Sequence, residues 1–237
     1  MKIFKITTAF IIIAFLSACS SAQLSQLGDI LKDGSLSTEE VAMGLKQALE
    51  KGTNSGTASA SKLNGYFNNQ KIRIPLPPEM QRVESTLRQV GLGSEVDKFA
   101  LNLNRAAEKA AIEAKPIFIS AIKSLTIQDA WNILRGDKDA ATQYLRRTTF
   151  NQLKGAFQPI VENALNSVNV TKYYDDIAGS YNRIPGVTKI NDDLNDFATT
   201  KAIDGLFVLI AEEEANIRAN PAARTTELLR KVFSQAD

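Results

Sequence analysis

The sequence predicts an all-α protein: a single bundle of about eight to ten helices with one extended, proline-rich strap. Three observations predict it. Apolar residues recur at three- and four-residue spacing through most of the chain, as in Val41, Leu45, Leu49 and in Val96, Phe99, Leu103. Capping residues stand ahead of such stripes, with Glu or Gln three positions on, in Ser37-Thr38-Glu39-Glu40 and Thr149-Phe150-Asn151-Gln152. The stretch with strand-like alternation, Ile72-Arg73-Ile74-Pro75-Leu76-Pro77-Pro78, carries three prolines, which remove the donors a central strand needs.

The elements follow in order. Ser37 opens a helix through Leu49. Residues 51–62 are small and polar and leave two readings open, a flexible loop or a weak helix extension. Pro78 suits the first turn of a helix over about 78–90, which Gly91-Leu92-Gly93 ends. Ser94 caps a helix over about 95–114 with Val96, Phe99, Leu103, Ala106, Ala107 and Ala110 on one stripe. Pro116 punctuates, and a short helix with Phe118, Ile119 and Ile122 follows. Thr126 caps a helix to Leu134, stopped by Gly136. Asp137 or Asp139 starts a helix from Ala140 to Arg147, and the Thr149 box opens another to about Val168, with Pro159 kinking it or starting a new segment. Thr171 caps a helix to about Asn182, and Ile184-Pro185-Gly186 turns the chain. In the helix over about 192–219, Leu206 to Ala211 is apolar nearly all round and belongs at the centre of the core, while Glu212-Glu213-Glu214 marks its return to solvent. Asn220-Pro221 opens the last helix, about 221–234, which packs through Leu228, Leu229, Val232 and Phe233. No internal repeat and no split into two domains is evident.

Ahead of this domain stands a leader. Lys2 and Lys5 form a charged start, and Phe10 to Leu16 an apolar run too short to span a bilayer, which takes about 20 residues. The run ends in Leu16-Ser17-Ala18-Cys19, which resembles the bacterial lipobox. The resemblance implies that the thiol of Cys19 takes a diacylglycerol and that cleavage makes it the first residue. Residues 1–18 are then a lipoprotein signal peptide, 19–35 the lipidated start and tether, and 36–237 the helical domain. Two or more acyl chains anchor stably at about 0.8 kcal/mol per buried CH₂. In Gram-negative lipoproteins an Asp after the lipidated Cys often signals inner-membrane retention, so Ser20 leans toward the outer membrane.

Composition excludes much chemistry. The 237 residues are 44% apolar, enough for a sizeable core, and include no His and one Cys. Ser-His-Asp and Cys-His catalysis, internal disulfides and nearly all zinc or copper sites are thereby removed. The formal charge is +2, and without the two leader lysines it is zero, so no global pull on nucleic acid is expected. Carboxylate-pair, Ser/Lys and oxygen-ligand Ca²⁺ chemistry remain open.

Several segments together resemble the bacterial DUF4197 family, a domain of unknown function. They are Gly44 to Leu49, Ile72 to Pro77, Leu103 to Glu108, Ala114 to Phe118, Asp139 to Arg146, Asp204 to Phe207 and Asn220 to Thr226. The resemblance spans about residues 36–234 and implies a helical exported protein, with no activity, cofactor or catalytic residue.

The most unusual polar features are Gln143, Tyr144, Arg146 and Arg147 in one segment and Arg224 in another. They are candidates for an anion or partner site in which guanidinium forks converge. The competing reading is structural: caps, and arginines paired with Asp137, Asp139, Asp204 or Glu212 to Glu214, the commoner use of such residues. Asp29, Asp33, Gly34, Ser35, Ser37 and Glu40 partly match an EF-hand loop, but Leu31 stands at its third position, and a Gly turn plus a capping box explains Ser37 and Glu40. No metal or other cofactor is assigned. Glu84-Ser85 resembles the Glu-Ser pair of lytic transglycosylases, whose other motifs are absent. Trp131, Tyr173, Tyr174 and Tyr181 read as core and rim aromatics rather than one cleft.

The expectation is a membrane-anchored envelope lipoprotein that binds without catalysis. Its partners are the membrane, through the lipid on Cys19, and an envelope protein or lipid ligand, with no nucleic acid. The alternative is an envelope enzyme using carboxylate or Ser/Lys chemistry, for example on peptidoglycan.

Overall fold

The computed structural model describes residues 36–78, 84–85, 88–89, 91, 93–166, 179, 182–183, 185–186 and 193–234. The leader with Cys19, the calcium-loop residues Asp29 to Ser35, most of the 78–90 helix and the 171–182 helix with Tyr173, Tyr174 and Tyr181 lie outside them. The described elements belong to one compact unit, Thr38–Asp237. Among the described residues there are six α-helices and no strand: α1 Thr38–Ala60, α2 Gly93–Lys123, α3 Ile127–Leu134, α4 Ala140–Asn166, α5 Leu194–Ala219 and α6 Glu227–Phe233. A short 3-10 turn, Pro221–Ala223, joins the last two. The protein is all-α.

The bundle is built on α5, which meets α1, α2 and α4, while α2 and α4 pack along each other. Leu206, Phe207, Ile210 and Ile217 of α5 are at most 3% exposed. Each contributes about 1.5–3 kcal/mol on burial. The core does not wrap the whole circumference expected for Leu206 to Ala211, since Val208 is 38% exposed.

One open reading is decided and three kinds of local signal are overridden, each for a tertiary reason. Residues 51–60 are helix and close-packed: Thr53, Thr57 and Ala60 are buried, and a Cβ added at Gly56 would stand 3.2 Å from Ile210. The small residues that weaken an isolated helix let α1 approach α5. α2 continues through Pro116, and α4 through Pro159. Each proline deprives the carbonyl four residues back, at Ile112 and Gly155, of its partner. All four residues are exposed, so water can take up those carbonyls, and burial of Ile117, Phe118, Phe157 and Val161 beyond the prolines keeps the chain helical. The box expected at Thr149 does not start a helix. Thr149 is buried in mid-helix, its hydroxyl donating to the Leu145 carbonyl at 2.6 Å. The expected 221–234 helix divides in two. Asn220 accepts from the Ala222 amide and opens only the 3-10 turn, and Thr226 accepts from the Leu229 amide to open α6.

Other local signals hold as read. Thr126 and Asp129 form a reciprocal capping box on α3, which ends at Leu134 just before Gly136. The strap carries no helix: Ile72 closes a turn with its amide donating to the Asn69 carbonyl at 3.1 Å, Arg73 to Pro77 has no regular structure, and Ile72 and Ile74 are buried.

Candidate functional site

Two buried polar clusters and one open hollow organise the polar chemistry of the bundle. The first cluster pins the strap. Asn104 on α2 accepts from the Ile74 amide at 2.9 Å and donates to the Ile74 carbonyl at 3.0 Å, acting as a neighbouring strand would. One turn on, Glu108 accepts the Tyr66 amide at 3.2 Å and the Arg105 guanidinium at 2.5 Å, and Arg105 donates to Asn64 at 2.8 Å. The Tyr66 hydroxyl donates to the Ala202 carbonyl at 2.6 Å. Gly205 is required beneath that ring, since a Cβ there would stand 2.7 Å from it. Burial first, then the nearby Glu108 and Asp204 charges, push the Tyr66 hydroxyl far above its ordinary range, so it stays protonated.

The second cluster centres on Glu214. The acidic run expected to mark return to solvent has its third member only 9% exposed, because Glu214 shares a helix face with Ile210 and Ile217. Its carboxylate accepts the Ala141 amide at 3.0 Å, and the Thr142 amide and hydroxyl at 2.8 Å each. A residue of α5 thus supplies the first turn of α4 with acceptors, where the helix dipole also favours an anion. Arg218 pairs with Glu214 at 3.0 Å and donates to the Ile133 carbonyl at 2.9 Å. Arg224, 3% exposed, donates to the Ile217 and Arg218 carbonyls at 3.1 and 2.6 Å and closes the last turn of α5. A gap of about 20 Å³ beside Leu49, Ile210 and Phe233 has room for one water.

The hollow lies between α3 and the start of α4 and encloses about 280 Å³. Gln143, Tyr144 and Arg147 line it together with Asp129, Asp137 and Asp139. Gln143 donates to Asp139 at 2.9 Å. Burial, then Asp129, raise the Tyr144 hydroxyl above its ordinary range while Arg147 opposes them.

The five candidate residues do not converge. Gln143, Tyr144 and Arg147 share the hollow. Arg146 turns away to Asp204 at 2.5 Å, lying 5.2 Å from the Phe207 ring and 5.5 Å from the Phe150 ring. Arg224 caps the far end of α5, 13 residues beyond Asp204 at Ile217, or about 20 Å along the helix. Glu84 is paired with Arg88 at 2.9 Å, and Arg88 also with Asp97 at 2.7 Å. Trp131 carries Arg135 over its ring at 4.7 Å. Asn104 and Glu108 were not singled out by sequence reasoning, and Glu214 was named only as one of several carboxylates that could pair with an arginine. Asn104 and Glu108 had one signal, polar residues at helical spacing in line with the apolar stripe of α2.

Among the described residues no group of three or more Asp, Glu, Cys or His is placed to hold a metal ion. None of the described helices is long and apolar enough to cross a membrane. Neither curated proteins nor solved structures include a match to the chain. The model of a family described as a protein of unknown function, DUF4197, matches residues 35–234. Within the matched span, 103–108 and 72–77 hold the strap, and 139–146 and 220–226 supply the partners around Glu214 and the α5 terminus. The chain belongs to the DUF4197 family.

Proposed function

We propose that this protein is a lipid-anchored component of the bacterial envelope whose helical domain is a non-catalytic binding module. The observation that carries the reading is the leader: a charged start, an apolar run, and Leu16-Ser17-Ala18-Cys19 holding the sole cysteine of the chain. Thioether attachment at Cys19 would place the domain on the periplasmic face of a membrane, with Ser20 favouring the outer one. Binding rather than catalysis is supported by the use of the buried carboxylates. Glu108 and Glu214 are each committed to backbone amides and an arginine, which leaves neither placed to take a proton from a substrate.

One concave surface open to a ligand among the described residues is the hollow beside Gln143, Tyr144 and Arg147, which gathers three of the candidate residues. Three aspartates against one arginine make it a poor anion pocket and suit a ligand or partner segment that offers hydrogen-bond donors. Substituting Cys19→Ser should move the protein from the membrane to the soluble fraction, and the mature N-terminus should lose the mass of its acyl groups. Unchanged fractionation and unchanged mass would overturn the anchored reading.

A further inference from the structure

The geometry points to a second membrane contact, made by the folded domain itself: the 61–73 connection and the adjoining face of α2 form a basic, apolar-tipped surface that rests on anionic lipid headgroups. Leu63 is 77% exposed and Ile112 60%, the two most exposed large apolar side chains among those described. They belong to one surface. Leu63 adjoins Asn64, whose side chain is held by Arg105 of α2 at 2.8 Å, and Asn64 takes a left-handed φ of +66° that turns the loop at this point. From Arg105, positions 109, 112 and 116 return to the same face of the helix, so Ile112 lies about 10 Å along α2 from the loop.

Cations surround these apolar tips. Lys62 and Lys109 are exposed beside them, as is Arg73, which stacks 4.5 Å over Phe67 on the same connection. Lys115 flanks Ile112 on one side and Glu113 on the other, leaving the surface net basic. From residue 61 to residue 78 the chain has three basic residues and no acidic one, and of these Lys71 pairs with Glu212 of α5 at 2.6 Å while Lys62 and Arg73 remain exposed. Apolar tips that enter the headgroup region, ringed by lysines and arginines, are the pattern of peripheral membrane contact. Charge complementarity therefore favours an anionic bilayer. An acidic protein or polymer would need the cations but not protruding Leu63 and Ile112.

This surface adds to the anchored reading, and its test is independent of the lipid. Residues 20–237, which contain the compact unit, carry no lipid and can be sedimented with vesicles. Binding is expected to vesicles containing phosphatidylglycerol and not to pure phosphatidylcholine. Lys62→Ala and Lys109→Ala should each weaken it about fivefold. Leu63→Asp combined with Ile112→Asp should abolish it with an unchanged melting curve, since both positions are exposed. Absence of wild-type binding, or binding indifferent to Leu63 and Ile112, would overturn the proposal. Equal retention on a soluble acidic polymer would reassign the surface to such a partner. Loss of the Cys19 anchor in cells would leave the vesicle result untouched.

Discussion

The first turns of α4 face two environments, and the same kinds of polar residue meet opposite fates in them. On one side Ala141 and Thr142 give their donors to buried Glu214, itself matched by Arg218. On the other, Gln143 and Arg147 border an open hollow with Asp137 and Asp139. The first side is buried and the second is open to solvent. A charge in the first must be fully partnered inside the protein or it costs several kcal/mol. A charge in the second is solvated whether or not it has a protein partner, so it contributes little to stability and can be used for binding. Burial, rather than residue type, separates the structural arginines from the arginine offered to a ligand.

The largest effect should come from breaking the buried side. Glu214→Ala removes acceptors from the start of α4 and strands Arg218, a loss of about 3–5 kcal/mol. Urea unfolding would measure it, and a change below 1 kcal/mol would erase the contrast between the two sides. Next is the strap. Asn104→Ala leaves both backbone groups of Ile74 without this partner, for about 2–3 kcal/mol, and should expose residues 72–78 to protease before the domain as a whole.

Tyr66→Phe should cost about 1 kcal/mol at neutral pH through loss of the bond to Ala202. Its pH dependence is more specific. The unfolded tyrosine ionises near pH 10, while the folded one is held protonated above that. Wild-type stability from this group is therefore complete below pH 10 and declines as pH rises past it, by about 1.4 kcal/mol per unit. The phenylalanine variant lacks this loss, so the gap between the two proteins should close in alkali. A gap constant from pH 7 to 11 would contradict the buried hydroxyl. The smallest effect sharpens the comparison from the other side. Arg147→Ala should change stability by no more than about 0.5 kcal/mol, as expected of a solvated residue at the hollow.

Much of this architecture was legible in the residues themselves. The Thr126 cap, the end of α3 before Gly136, the stripe of α2 and the non-helical proline run between Ile72 and Pro78 all follow from chemistry within a few positions of one another. The prolines at 116 and 159 and the Thr149 box misled because their local signals are correct for an isolated peptide, and burial of distant apolar residues outweighs them here. The candidate site was legible only in part. Gln143, Tyr144 and Arg147 meet as neighbours on one helix must, whereas Arg146 is drawn off by Asp204, 58 residues away, and Arg224 by the carbonyls that end α5, six and seven residues before it.

The sequence alone determined that this chain is helical, where most of its helices begin, and that a charged start, an apolar run and the sole cysteine precede the helical region. Those properties depend on spacing, capping and composition, which act over a few residues. Only the tertiary structure decided that Glu214 is buried while Glu212 is exposed, that Asn104 holds the strap, and which arginines are spent on the fold. Each of these depends on which distant backbone group approaches a side chain and on whether water can follow it.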